Sequence, residues 1–379
     1  MRKNRFLVLG LILVLLMPAL SGCTKKSDTA KFAQLHVIHR MELDFAAEFS
    51  VDYYEGGYKL ITLGDGSRYL TVPAGAAVPR GLDASITPLH QPIRNIYLAA
   101  TSAMCLFDAL GRLDTIRLSG TKADGWYVEN ARTAMQEGKI LYAGKYSEPD
   151  FELLLEEKTP LAVESMMINH TSDVKAQLER LGIAVLTDQS SNETHPLGRA
   201  EWIRLYGALL DEEEKADALF REQVRLLREV EKKSKTGKTV AFFYIGTTGR
   251  VVARRTNDYV SKMIGLAGGD YVFKDLGDPD AKTSTVTLEM ETFYATAKDA
   301  DILIYNATIA ESLSTLEELL QKHALLREFK AVQNGQVWCT ARSMYQETTA
   351  LGEMIQSLHS IFTDAEGNLS EVPFFYRLK

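Results

Sequence analysis

The spacing of apolar positions changes several times along the chain, and each change predicts a different kind of element. Residues 6–16 are an unbroken apolar run, and 24–31 is polar. From 45 to 72, apolar and polar residues alternate with the period of a half-buried strand, interrupted at Gly56-Gly57 and Asp65-Gly66, both hairpin-turn pairs. A looser segment with Pro and Gly spans 73–92. Beyond it, short apolar runs and helical spacings take turns: strand at 95–99, helix at 101–110 stopped by Gly111, strand at 115–118, helices at 128–137 and 151–158, strand at 161–163, helix at 174–181 stopped by Gly182, strand at 183–186. This alternation predicts a parallel sheet covered by helices on both faces.

Between 196 and 235 the pattern is helical only. Trp202, Tyr206, Leu209 and Leu210 line one face of a first helix. The run Asp211-Glu-Glu-Glu214 reads as a capping box opening a second helix, with Leu219, Phe220, Val224, Leu227 and Val230 on one stripe. That helix is expected to be about 22 residues and roughly 33 Å long at the helical rise. From 238 the alternation resumes: strand 239–245, helix 259–266 with the stop Gly268-Gly269, helix 289–298, strand 301–305, helix 325–333, strand 336–340 and a last helix at 347–362. The halves echo each other, Pro149-Asp-Phe-Glu152 leading into one strand and Glu289-Met-Glu291 into another. The expected fold is α/β: two βα lobes with parallel sheets, joined by a long rigid helix, with a ligand cleft between them. In chain order this predicts a leader at 1–22, a tether at 23–31, a first lobe at 32–195 that includes the 45–72 hairpins, bridging helices at 196–236 and a second lobe at 237–379.

Composition sharpens this in two places. With 379 residues, 46% hydrophobic and 25% charged, and only 10 Pro, the chain is a folded globular protein large enough for two domains. Its formal charge of −7, with no Lys/Arg run longer than two, excludes nucleic acid as the partner. The leader matters more. Arg2, Lys3 and Arg5 precede an apolar run too short to be an ordinary membrane span, and Leu20-Ser21-Gly22-Cys23 resembles a bacterial lipoprotein cleavage box. Lipidation of Cys23 is therefore expected, with lipid as the only membrane anchor. Removing 1–22 takes away three basic residues and no acids, so the mature chain has 40 Lys/Arg against 50 Asp/Glu, or −10. Cys105 and Cys339, far apart in sequence, are expected to be small buried residues rather than a disulfide.

Several motifs together, Asn95-Ile-Tyr-Leu-Ala-Ala-Thr-Ser102, Pro149-Asp-Phe-Glu152, His195-Pro-Leu-Gly-Arg-Ala-Glu-Trp202, Asp258-Tyr259 with Gly268-Gly269, and Ala331-Val-Gln-Asn-Gly-Gln-Val337, make the chain resemble the substrate-binding lipoproteins of ABC importers for ferric siderophores, heme or cobalamin. The resemblance runs from Leu20 to the C-terminal helix. It implies two α/β lobes bridged by a rigid helix, a small-molecule iron or corrinoid ligand, an ABC permease and its ATPase as partners, and a place at the extracytoplasmic membrane face. It implies no catalysis and no cofactor beyond the bound ligand, ranked ferric siderophore, heme, cobalamin. Family members dock on the permease through one Glu per lobe. Glu152 matches the first; Glu291 and Glu289 compete for the second, with Glu291 favoured.

In open α/β lobes, ligands meet loops at the carboxyl ends of parallel strands. That selects Thr101 and Ser102, residues 164–170 with His170, residues 188–195 with His195, and in the second lobe 246–249, 306–308 and 341–345 with Tyr345. Trp126 and Tyr127 are expected to offer a flat aromatic surface. Arg254 and Arg255 suit an anionic ligand through paired planar donors, with Arg199 and Arg342 as weaker versions. His36 and His39 have no third metal ligand nearby. Phosphate loops, nucleophile elbows and zinc-protease helices are missing from the sequence. A surface hydrolase using Glu164 and Glu193 as paired acids is the enzyme alternative; a ligand sensor or adhesion-type lipoprotein on the same fold is the other.

Overall fold

The computed structural model describes residues 31–278, 283–364 and 367–379. The leader, Cys23 and the tether up to residue 30 lie outside the described residues. Among those described, no helix is long and apolar enough to cross a membrane.

Three sheets organise the chain. The first has five strands in sequence order, Val37–Arg40, Phe49–Tyr54, Lys59–Leu63, Arg68–Val72 and Ile86–His90. The two expected hairpins are there, because glycines at 56, 57 and 66 take the positive φ their turns require. Two strands had no readable pattern. Ile86–His90 lies in the loose Pro/Gly segment yet pairs parallel with Arg68–Val72, and Val37–Arg40 is exposed at all four positions.

The second sheet is wholly parallel, in the order Ala184–Asp188, Leu161–Ser165, Ile96–Leu98, Ile116–Ser119, Leu141–Tyr142. Helices Phe151–Glu156 and Ser172–Arg180 cover one face through Leu154 and Leu178. Met104–Ala109 and Glu129–Gln136 join the main core on the other.

The third sheet corrects the expectation of purely parallel lobes. Its centre, Thr239–Ile245, Ile302–Tyr305 and Val337–Thr340, is parallel. Antiparallel strands flank it: Val251–Arg254 and Thr285–Leu288 on one side, Phe375–Arg377 and Glu371–Val372 on the other. The stretch read as one helix at 325–333 is a 3-10 turn, Ala324–Glu328, followed by the short helix Lys330–Gln333.

The bridge is a helical hairpin rather than a single rod. Pro196–Leu210 is buried at 13 of its 15 positions and so behaves as a core helix. Asp211 turns left-handed at φ 59, and Glu213–Glu231 then runs 19 residues, about 28 Å at the helical rise. The expected capping box does not form, because Asp211 closes the first helix instead of opening the second. Its carboxylate takes hydrogen bonds from Lys59 (2.6 Å) and Gln91 (2.8 Å), so long-range partners decide its role. The hairpin is tight at Gly207, where a Cβ would stand 2.5 Å from that of Ala216. Leu351–Thr363, the last helix, packs on the long one, with Gly352 N donating to Gln223 at 2.9 Å. Cys105 and Cys339 are buried and free.

Two buried carboxylates fasten the first sheet to this frame. Glu201, fully buried, accepts from the backbone N–H groups of Asp44, Phe45 and Ala46, each at 2.8 Å, and from Arg204 at 3.0 Å. Glu193 accepts from Ala47, Glu48 and the Trp202 indole. Tyr69 adds a hydroxyl bond to Val185 O at 2.5 Å, on the edge strand of the second sheet.

Candidate functional site

The carboxyl ends of the parallel strands of the second and third sheets meet along a seam. On the first-lobe side, Ile116–Ser119 leads into a turn that delivers Trp126 and Tyr127. The structure separates this pair. Trp126 is fully buried, its indole N–H donating to Ser119 Oγ at 3.1 Å. The expected flat surface is therefore not the indole, which the apolar core retains because its single polar atom finds an internal partner. Tyr127 stays half-buried, and its backbone N–H donates to Gln346 Oε1 at 2.8 Å. Gln346 returns a bond from Nε2 to Gly125 O at 2.9 Å. One side-chain amide thus mimics a paired backbone unit across the two lobes. Beside it Thr348 donates to Ser102 O at 3.2 Å, and the Arg342 guanidinium lies 6.0 Å from the Tyr127 ring centre.

The second lobe supplies the charge. Arg254 ends strand Val251–Arg254 and is buried, yet its guanidinium donates to the Tyr345 hydroxyl and lies 5.0 Å from that ring's centre. Asn306, just past strand Ile302–Tyr305, donates to the same hydroxyl at 2.9 Å. Asp258 stands 3.5 Å from Arg254 and caps helix Tyr259–Leu266, accepting from Val260 N–H at 2.9 Å. Arg255 goes elsewhere: its guanidinium donates to Thr283 O at 2.7 Å. Only the first of the expected arginine pair joins the Tyr345 cluster.

At the far end of the seam Arg199 lies over the Tyr259 ring, 3.8 Å from its centre, while donating to Ser191 O at 2.6 Å. His195 caps helix Pro196–Leu210: Nδ1 accepts from Leu197 N–H at 3.1 Å, and the ring stacks on Phe45 at 4.5 Å. Burial and the nearby Lys262 charge lower its pKa, so the ring is neutral, with Nδ1 committed to the cap. Thr101 and His170 are exposed, and His170 ends the 3-10 turn Met166–His170. The residues gathered at the seam are thus Ser102, Tyr127, Arg254 and Tyr345 from the expected set. Asn306 and Arg342 come from the expected loops, and Gln346 lies one position past the last of them. Nothing local to Gln346 signals its partner 221 residues away.

Guanidinium groups and phenols in this arrangement can take an anionic, flat-faced ligand through charge-assisted bonds and ring contact. Among the described residues, no three His, Cys, Asp or Glu side chains gather as a metal-ligand set. Two open depressions, about 470 and 400 Å³, lie away from the seam, one beside Leu316, Gly335 and Arg377 and the other beside Glu222, Glu353 and Ser360. Their lining lacks the charged and aromatic groups just described, so the seam is the better candidate. Glu164 and Glu193 do not form an acid pair there. Glu193 is used by Ala47, Glu48 and Trp202, and Glu164 is completely buried with its carboxyl pushed up to about 8 by desolvation.

Comparison with known proteins agrees with this architecture. An uncharacterized lipoprotein of Methanocaldococcus jannaschii is 25% identical over 377 residues, covering 90% of this chain and 89% of its own. A second from the same organism is 24% identical over 405 residues, covering 99% of this chain and all of its own. Solved structures show the same fold at low identity. The periplasmic heme-binding protein of Vibrio cholerae has TM-score 0.57 at 18% identity, covering 70% of this chain and 98% of that one. The Fe3+-hydroxamate transport protein of Saccharomonospora viridis has TM-score 0.56 at 19% identity, covering 72% and 93%. The periplasmic binding protein family model matches residues 106–342, leaving the five-stranded sheet outside it. That match spans more than half of the chain, which therefore belongs to the periplasmic binding protein family, whose solved members are substrate-binding proteins of ABC transporters.

Proposed function

We propose that this protein is a lipid-anchored, extracytoplasmic binding protein that captures a ferric siderophore, heme or cobalamin at the seam between its lobes and delivers it to an ABC permease driven by a separate ATPase. Ferric siderophore ranks first. The observation that carries this reading is the buried Arg254, held by Tyr345 and Asp258 at the strand ends that face Tyr127 and Ser102. A guanidinium fixed in place loses little entropy when it meets an anionic oxygen. The iron would arrive already chelated, as cargo.

The permease would meet the two lobes at Glu152 and Glu291. Both are exposed, and each is the second residue of its helix, Phe151–Glu156 and Met290–Ala297. Glu289, the rival, is engaged by Arg250 at 2.8 Å, which favours Glu291.

The test is calorimetric titration of residues 24–379 with ferric siderophores, heme and cobalamin. One class is expected to bind below about 10 µM, roughly −7 kcal/mol. Failure of all three at that level overturns the reading.

A further inference from the structure

The five-stranded sheet lies outside the family match, and one edge of it is unusual. Strand Val37–Arg40 pairs only with Phe49–Tyr54, so its other edge presents unpaired backbone groups. Edges of this kind are ordinarily shielded by charge or cover. Here Ile38 is 65% exposed and Val37 39%, two of the six large apolar side chains exposed among the described residues. The register slips between Val37, opposite Tyr54, and His39, opposite Tyr53, so Ile38 is an extra residue at a bulge.

Charge in this region opposes that of the whole. Residues 24–41 contain Lys25, Lys26, Lys31 and Arg40 against Asp28 alone, a net +3, and His36 and His39 besides. The 338 residues that follow carry 36 Lys/Arg and 49 Asp/Glu, or −13. Lys31, His36, His39 and Arg40 are all exposed.

The covalent tether determines what this edge can reach. Lys31 is eight residues from Cys23, so a lipid on Cys23 holds it within about 26–29 Å of the bilayer surface even when the link is fully extended. Lys31 enters the body at Arg80, where Phe32 N–H donates to Arg80 O at 2.9 Å, and Phe32 lies 5.5 Å from the Tyr54 ring beside the edge strand. The exposed aliphatic pair therefore sits next to the anchor point. A basic segment beside an acyl anchor is a second membrane signal, attracted to anionic headgroups.

We propose that strand Val37–Arg40, with Lys31 and the basic tether, is a membrane-contact edge that rests on an anionic lipid surface and orients the body above it. Only the reach argument depends on lipid at Cys23; ligand capture at the seam plays no part. The mature lipidated chain is reconstituted in vesicles of phosphatidylglycerol and phosphatidylcholine, with a fluorophore on Ile38→Cys or, as control, on exposed Glu317→Cys; the native Cys105 and Cys339 are buried. Lipid-borne quenchers should quench the first label and spare the second. Unlipidated residues 24–379 should be retained by phosphatidylglycerol vesicles over phosphatidylcholine ones, and Lys31→Gln should weaken that retention about fivefold. Equal quenching at both positions, equal retention by the two lipids, or label-to-label energy transfer that grows with protein density and marks a second copy on the edge, would each overturn the proposal.

Discussion

The two lobes share a parallel core of strands, but their buried charges have opposite signs. The first lobe and its bridge bury Glu164, Asp188, Glu193 and Glu201, while the second buries Arg254 and Arg255. The acids are spent on construction. Glu193 and Glu201 hold the loop that ties on the first sheet, and Asp188 accepts from Tyr206 at 2.6 Å. Arg254 is instead held at the strand ends that face the other lobe. Similar backbones thus divide the work: one lobe provides a scaffold and aromatic contact, the other the cation that an anionic guest would meet.

This division is open to direct attack. The largest effect is expected from Glu201→Ala, which orphans three backbone N–H groups and Arg204, and should cost about 3–5 kcal/mol in denaturant unfolding. Ligand affinity of the folded fraction should be unchanged; a loss there would mean the acids are not purely structural.

Glu164 offers a second test. Its folded carboxyl, raised from 4.5 to about 8 by desolvation, keeps a proton that the unfolded chain releases between those values. Stability should therefore fall as pH rises through that window and level off above it, by about 1.4 kcal/mol per unit and on the order of a few kcal/mol in all. Glu164→Gln should abolish that part of the pH dependence, read as unfolding midpoints on either side of the window.

Arg254→Ala should weaken ligand binding about ten- to a hundredfold, the value of a charge-assisted bond, while Arg255→Ala should leave affinity unchanged. Equal losses would erase the distinction between the two arginines. The smallest effect belongs to Gln346→Ala. Losing the clasp on Gly125 and Tyr127 should speed ligand dissociation about fivefold, near 1 kcal/mol, as stopped-flow would measure.

Much of this architecture is legible in the sequence. Helix Tyr259–Leu266 matches its expected bounds, and strand Thr239–Ile245 does as well. The hairpins around Gly56 and Gly66 follow from turn chemistry. Less legible were strands Val251–Arg254 and Thr285–Leu288, which are short and stabilised by each other rather than by any local pattern. At the seam, Arg254 and Arg255 are indistinguishable neighbours in sequence, as are Trp126 and Tyr127. Burial and partners separate each pair.

What the sequence alone determined is the kind and order of elements, because periodicity and turn residues act over a few positions. It also determined the charge imbalance and the two-lobed plan. Tertiary structure decided everything that depends on a distant partner: Asp211 ending a helix rather than starting one, His195 spent on a cap, Gln346 bridging lobes, and two glutamates holding a loop some 150 residues away. A buried polar group must be satisfied wherever packing happens to bring a partner, and no local spacing carries that information.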